Sequence, residues 1–449
     1  MGHMIKPARG VIWYPISESL WIAVAPRRAS PEKCLLLQHN EVGLLDRLNN
    51  PSGVPEQDLA PGEIDIVKKW LAPEFSILEE VKVHKPLNPH VNLARSVFQE
   101  YRSAKELEGR HDLASYHLTE INDPVRQFEE VEMTVSHLYR EPHPALEGKN
   151  YGARFARVLI EDKAVGKGFR ILELGCGTGI FGREFLREVK NAAPDIYKSL
   201  DYTFFDISPV LTKSQEQINK EHGKIMSFQT GDAYIHSFPD AGYDLIITNE
   251  MIADLPVVKL TKGDRSQSGP AADGWDMGKR LGLDFSDAPP QFLFNLGALR
   301  LLINISQTLR PGGKAYIVEY GSPFGYPKAH HVTNHIEYSI HFGHMLTAAE
   351  SLGLEANLLG LHEFLGFLGD VKVLDDLTHS AIFGHLLPFL GITRESSKVY
   401  TEDMLLKALP QVAQKVKNLS FVSLKSLGGI LYPNGFYALR LVKKRRKSF

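Results

Sequence analysis

The chain has 449 residues, with 51 basic and 53 acidic side chains for a net charge of −2; 43% of residues are hydrophobic and 23% charged. That balance excludes a largely disordered chain and argues against electrostatic capture of nucleic acid as the main function. Two cysteines, Cys34 and Cys176, are too few for a disulfide framework or a structural zinc site, so a reducing, cytoplasmic setting is expected. No window reaches ~18 uninterrupted apolar residues, so no membrane span is expected. The richest stretch, Ala381 to Ile392, is broken by His385 and Pro388.

Length alone suggests two or three domains at ~150 residues each. Residues 5–85 read as an N-terminal accessory module. Strands are expected within Gly10 to Val24 and at Cys34 to Gln38, and helices at Glu41 to Leu48 and Glu63 to Leu71. The loop Asn49 to Gly62 carries Pro51, Gly53, Pro55 and Pro61. Small strands followed by two short helices are similar to a winged-helix or peptide-clasp module. Residues 86–150 are expected to form an amphipathic helical cover or linker.

Residues 151–449 form the main domain. Tyr151 to Ile160 starts a helix, and from Phe169 strands and helices alternate. Strands are expected at Arg170–Leu174, Tyr202–Asp206, Met226–Thr230, Asp244–Thr248 and Ala315–Glu319. Helices are expected at Ile180–Lys190, Pro209–Glu221, Ile252–Lys259 and Phe292–Leu309. Repeated β-then-α order implies right-handed crossovers and a mostly parallel sheet. Residues 261–290, rich in Gly, Pro, Ser and Asp, are expected to be a long loop and a candidate lid.

The first strand, with Glu173 near its end, runs into Gly175-Cys176-Gly177-Thr178-Gly179 and then a helix. Glycines at such a turn let backbone approach a ligand closely. The spacing is not the G-x-G-x-x-G of a dinucleotide site. The second strand ends at Asp206-Ile207, where an acid can accept both ribose hydroxyls of a nucleoside; it could equally cap the following helix. Asp232-Ala233 follows the third strand, and Asp232 is placed to accept from an adenine amino group. The fourth strand delivers Asn249-Glu250 and, one turn on, Asp254. Ligands in open parallel sheets sit beyond the carboxyl ends of the strands. Glu250 could therefore orient a nucleophile or take its proton, or could serve as a helix-end carboxylate. Asp254 is a second carboxylate of the same kind or plain helix surface.

Gly-x-Gly-x-Gly preceded by Glu173 resembles the first motif of class I S-adenosylmethionine (SAM) methyltransferases. Asp206-Ile-Ser-Pro-Val-Leu followed by Gln215 is similar to a segment of the MidA-type family. So are Asn249-Glu250 with Leu255-Pro256-Val257, Glu319-Tyr320-Gly321, Glu337 to His341, and Glu363-Phe364-Leu365. The resemblance covers roughly residues 125–440. It implies a Rossmann-like seven-stranded α/β sheet with helical cover, SAM as cofactor and S-adenosylhomocysteine (SAH) as product. Glu173, Gly175, Cys176, Gly177, Gly179, Asp206, Ile207, Asp232, Ala233 and Asn249 would bind the cofactor, with Glu250, Asp254 and His341 as the catalytic candidates. Mitochondrial members methylate arginine in a subunit of respiratory complex I, which implies a protein-directed enzyme. Ala253 departs from the family, which has Asp there, and Gly343 replaces another family acid.

Histidines cluster at His330, His331, His335, His341 and His344, without accompanying cysteine or tight carboxylate pairing, so no metal is assigned; for His341 a packed or hydrogen-bonded role is expected ahead of a substrate-side acid–base one. The expected activity is SAM-dependent methyl transfer to a protein or peptide side chain, with nitrogen favoured and the accessory module contributing to acceptor recognition. A small-molecule O- or N-methyltransferase of secondary metabolism and a non-catalytic SAM-binding scaffold are the rival readings. The sequence is compatible with a homodimer.

Overall fold

The structure, a computed structural model, describes residues 4–7, 12–15, 20–25, 33–48, 54–55, 58–71, 78–81, 134–263, 269–331, 336–374, 398–408, 410 and 419–445. The expected cover over residues 86–133, His335 and the apolar stretch Ala381 to Ile392 lie outside the described residues. The chain forms two compact units, one from Met1–Tyr101 with Asp370–Leu427, the other from Arg102–Gly369 with Gly428–Phe449. Among the described residues, no helix is long and apolar enough to cross a membrane.

The first unit holds two three-stranded antiparallel sheets. One orders Val54–Pro55, Met4–Pro7 and Leu78–Val81; the other orders Ile12–Pro15, Leu20–Ala25 and Lys33–Gln38. Helices His39–Leu48 and Pro61–Leu71 bury Leu44, Leu45, Leu48, Val67 and Trp70. From the later segment come the antiparallel pair Lys372–Leu374 with Phe421–Ser423 and the helix Glu402–Ala408.

The second unit is built on a sheet whose main strands, in chain order, are β1 (Arg170–Leu174), β2 (Asp201–Asp206), β3 (Met226–Thr230), β4 (Tyr243–Asn249), β5 (Leu309–Ser322), β6 (Leu354–Gly360) and β7 (Phe436–Lys443). Their spatial order is β6-β7-β5-β4-β1-β2-β3. Strands β1 to β5 pair in parallel, and β7 lies antiparallel between β5 and β6. A short eighth strand, Ile340–His341, pairs with the end of β5. The strand order reverses between β1 and β4, and the crevice beyond their carboxyl ends is where this architecture places a ligand.

Helices α1 (Tyr151–Glu161), α2 (Ile180–Ala192), α3 (Pro209–Ile218), α4 (Leu296–Thr308) and α5 (Phe342–Ser351) pack around the sheet. Asn150 caps α1 by accepting from Ala153 N, and its amide donates to Glu184 Oε2, tying α1 to α2. Helix α2 buries Phe181, Phe185, Leu186 and Val189, the one-sided spacing of an amphipathic helix. Gly182, on the same helix, has no room for a side chain. A Cβ there would stand 2.4 Å from Phe204 Cε1 and 2.6 Å from Glu173 Oε2. Gly182→Ala should therefore cost about 1–3 kcal/mol of overpacking, outweighing the ~1 kcal/mol gain in helix propensity. Urea unfolding checks this, and a more stable variant would contradict it.

The first four expected strands are present within a residue at each end, and the fifth is longer. There Leu309 pairs with Tyr243 and Lys314 with Leu245, so Arg310 to Gly313 bulge out of register, with Gly312 at φ +86°. Four expectations are corrected. Ile252–Lys259 is not a helix but one 3₁₀ turn, Ile252–Asp254, followed by the strand Val258–Thr261. Pro256 cannot supply a helical N–H, and the β-branched Val257 and Val258 favour the extended chain. Phe292 and its neighbours are strand Gln291–Phe294, paired with Val258–Thr261, so α4 begins only at Leu296. The stretch 261–290 contains the helix Pro270–Arg280, opened by proline at its first position. Trp275 of that helix sits edge-on to Phe285 and Phe292, so apolar packing holds a segment whose composition reads as loop. The third helix also ends earlier than expected, at Ile218, and gives way to 3₁₀ turns over Lys220–Ile225 around Gly223 at φ +58°.

Candidate active site

A cavity of about 660 Å³ opens at the carboxyl ends of β1, β2 and β4. Its glycine turn is tightly constrained. Gly175 has φ +68°, and a Cβ there would stand 2.3 Å from Met251 Cγ. Gly179 starts α2 at φ +84° and does not line the cavity. Beneath the turn Cys176 is buried; its thiol donates to Glu173 O at 3.2 Å, and its sulfur accepts from Phe205 N. Burial pushes that thiol well above its ordinary range, so Cys176 is a packing group rather than a nucleophile. Glu173 is buried against Tyr202, whose hydroxyl donates to Oε2 at 2.8 Å. Burial raises its carboxyl to about 8.

Asp206 is 4% exposed at the tip of β2. Its Oδ2 accepts from Gly177 N at 3.0 Å and its Oδ1 from Ser208 N at 2.9 Å. Gln215 of α3 donates to Gly177 O at 2.8 Å. Asp206 thus holds the glycine turn and the entry to α3 together. Gln215 Nε2 also reaches Asp206 Oδ2 at 3.4 Å, and Asp206 lines the cavity, where an acid at the tip of a second strand can accept ribose hydroxyls. Asp232, after β3, accepts from Tyr234 N with Oδ1 at 2.8 Å. Its Oδ2 takes no hydrogen bond from the described residues. Ile207, Ala233 and Asn249 also line the cavity. An acid at the tip of β2, a second beyond β3 and a turn with no room for a Cβ at Gly175 together fit an adenosine-bearing cofactor.

At the tip of β4 the backbone is strained. Glu250 has φ +52°, a left-handed conformation uncommon for a residue with a side chain and frequent at functional sites. Its Oε2 accepts from Val135 N at 2.9 Å and its Oε1 from Asn249 Nδ2 at 3.1 Å, with a longer contact from Ser136 N at 3.4 Å. Burial raises its carboxyl to about 7, against the lowering effect of those hydrogen bonds. Tyr151 of α1 donates to Asn249 Oδ1 at 2.5 Å. The strap Thr134 to Leu138, which Glu250 anchors, brings Thr134, Ser136 and His137 to the cavity wall. Burial lowers His137 to about 3, so its imidazole is neutral.

Two further carboxylates converge here. Glu319, at the end of β5, accepts from Tyr320 N at 2.8 Å and from Ala253 N at 3.2 Å. Burial, with repulsion from Glu250 and Glu337, holds it well above the carboxylate range. Glu337 is the register partner of His330 in the hairpin Ala329–His331 with Ile336–Tyr338, and both line the cavity. Tyr320 sits edge-on to His330 at 5.1 Å and to Phe436 at 5.5 Å. Asp254 completes a lining that holds seven acids and neither Lys nor Arg among the described residues.

The structure does not bring His341 to this cavity. It caps α5, its Nδ1 accepting from His344 N at 3.2 Å, and its ring stacks on His344 at 3.7 Å between centroids. Among the described residues, no group of three or more His, Cys, Asp or Glu could hold a metal ion. Thr134, Ser136, His137, Tyr320, His330, Glu337 and Phe436 were not assigned from sequence. Glu319-Tyr320 at a strand end is the signal that could have found the β5 wall. The strap has none, because its anchor is 115 residues away.

Residues 153–347 match the profile of a family described as "Putative S-adenosyl-L-methionine-dependent methyltransferase". No curated protein matches the chain. A SAM-dependent methyltransferase from Mesorhizobium loti is 12% identical, with TM-score 0.33, over 66% of this chain and 99% of its own. Phosphoethanolamine N-methyltransferase 2 of Haemonchus contortus, in complex with SAM, is 13% identical, with TM-score 0.37, over 72% of this chain and 61% of its own. A TehB-like methyltransferase from Corynebacterium glutamicum is 20% identical, with TM-score 0.27, over 48% and 79%. The strand order and the cavity stand independently of these low scores. Together with the family match, which spans β1 to β5, they define a SAM-dependent methyltransferase with a Rossmann-like sheet. Its cofactor is SAM.

Proposed function

We propose that the enzyme methylates a nitrogen atom of a cationic protein or peptide side chain, as the MidA-type resemblance suggests. The observation that carries this reading is the acid-rich lining of the cavity. Glu250, Glu319 and Glu337 line it, and its described lining holds no Lys or Arg. Such a wall offers acceptor oxygens to an ammonium or guanidinium group and no basic side chain to a phosphate or carboxylate.

In this reading Asp206 would hold the ribose hydroxyls and Asp232 the adenine amino group, with the glycine turn beneath. When bound, SAM supplies an electrophilic methyl group on a sulfonium. Asn249 and Glu250 stand at the tip of β4, where they orient the acceptor nitrogen. A protonated nitrogen must lose a proton to expose its lone pair, and a carboxyl titrating near neutrality is suited to take it. Tyr151, through its bond to Asn249, keeps that amide in place. The strap contributes Thr134, Ser136 and His137 to the cavity wall.

The test is incubation with methyl-labelled SAM and host lysate, separated into protein and small-molecule fractions. Acid-stable label recovered on a basic amino acid after protein hydrolysis supports the proposal. Label confined to small molecules favours the secondary-metabolism reading and overturns it. Tight SAM binding without labelling of either fraction points to the non-catalytic scaffold.

A further inference from the structure

Beyond the acids already described, the cofactor side of the cavity carries an unusual attachment. Tyr234, which lines the cavity, is clamped by Arg300 of α4. The guanidinium lies 5.0 Å from the Tyr234 ring centroid, and Nη1 donates to the Tyr234 hydroxyl. Arg300 also donates through Nη2 to Asp273 Oδ2 at 3.2 Å. Asp273 belongs to the helix Pro270–Arg280, within the stretch expected from sequence to be a lid. At the other end of the same residue, Tyr234 N donates to Asp232 Oδ1. The turn is closed further by His236 N and Ile235 N, which donate to Asp232 O at 2.8 and 3.2 Å.

We infer that Arg300 is a positioning residue for adenine recognition: by clamping Tyr234 it fixes the turn that presents Asp232 to the cofactor's amino group. The inference rests on the reading of Asp232 given under Proposed function. Its physical basis is directional. Asp232 Oδ1 is committed to Tyr234 N, so the position of Tyr234 sets where the remaining oxygen points. A carboxylate aimed at an amino donor binds it well and repels a carbonyl oxygen in the same place. The ion pair with Asp273 is exposed on both sides, at 36% and 61%; such pairs contribute little. The clamp on Tyr234, not the pair with Asp273, should matter.

The test compares two ligands by calorimetry: SAH and S-inosylhomocysteine, in which a carbonyl replaces the adenine amino group. The unaltered protein should bind SAH more tightly. Arg300→Ala should lose about tenfold in SAH affinity, the size expected for one hydrogen bond to a charged group. Affinity for the inosyl analogue should change little, so discrimination collapses. Tyr234→Phe, which keeps the ring under the guanidinium, should fall between, and Asp273→Ala should keep the discrimination. Equal loss of both ligands in Arg300→Ala would reduce Arg300 to a stability residue and overturn the inference. So would unchanged discrimination. If the unaltered protein binds SAH without discriminating, the reading of Asp232 fails first and the inference falls with it.

Discussion

Glu250→Gln should slow single-turnover methyl transfer by roughly 10²–10⁴, the usual contribution of a general base, while SAH affinity barely moves. The substitution keeps an acceptor oxygen for Val135 N, so the strap retains its shorter bond. It removes the group that takes the proton. Because burial places the carboxyl at about 7, the rate of the unaltered enzyme should rise with pH through neutrality and level off above it. The variant's profile should lose that limb. Stability runs the other way. The folded carboxyl titrates above its ordinary value of 4.5, so its contribution is fully present below that value and is lost as pH rises through about 7. The variant should show a flatter melting curve against pH across that window. A role confined to anchoring the strap through Val135 N and Ser136 N predicts lost stability with turnover intact. Near-normal turnover in a stable variant would therefore remove Glu250 as the base. It would leave Asp254, or an acceptor that needs none.

Asp206→Ala should weaken SAM and SAH binding by at least about tenfold, since one hydrogen bond to a charged group is worth ~1.5 kcal/mol or more. The geometry makes a larger loss reasonable, because the same carboxylate accepts from Gly177 N and Ser208 N. Its removal takes the acceptor from one buried and one half-buried donor and loosens the turn as well as the ribose contact. Asp206→Asn keeps one acceptor and should fall between. Calorimetry on both variants, with melting temperatures alongside, separates direct from indirect loss. Unchanged affinity in Asp206→Ala would take Asp206 out of the site.

The cofactor half of the cavity was legible because its residues sit at strand ends that announce themselves locally. Buried runs such as Ile171 to Leu174 end in glycines or acids within one or two residues. The acceptor half was less legible because it is assembled from distant segments. Glu250 was visible at the tip of β4, but not its bonds to Val135 and Ser136, which no local spacing encodes. Val258–Thr261 and Gln291–Phe294 become strands only because they pair with each other across an insertion; each alone reads as the edge of a helix. Helix Pro270–Arg280 was hidden by Gly274 and Gly278. They look like breakers in composition, yet each sits where a Cβ would press on an aromatic or aliphatic neighbour: Val258 Cγ2 at 2.9 Å for Gly274 and Phe285 at 2.6 Å for Gly278. His341 takes the packed, hydrogen-bonded role that the sequence favours over acid–base chemistry: its ring nitrogen satisfies a backbone N–H.

The placement of β7 has a consequence for how the protein is made. This strand, Phe436–Lys443, lies between β5 and β6 although it is the last of the sheet to leave the ribosome. Until it emerges, the facing edges of β5 and β6 have no partner, and unpaired edges are templates for unwanted strand pairing. Phe436, a wall of the cavity, is absent over the same interval. The nascent chain can therefore assemble β1 to β4 early, but a complete pocket forms only after a late closure of high contact order. Chains stalled before Phe436 should be recognised by chaperones and proteases rather than accumulate as partial enzymes.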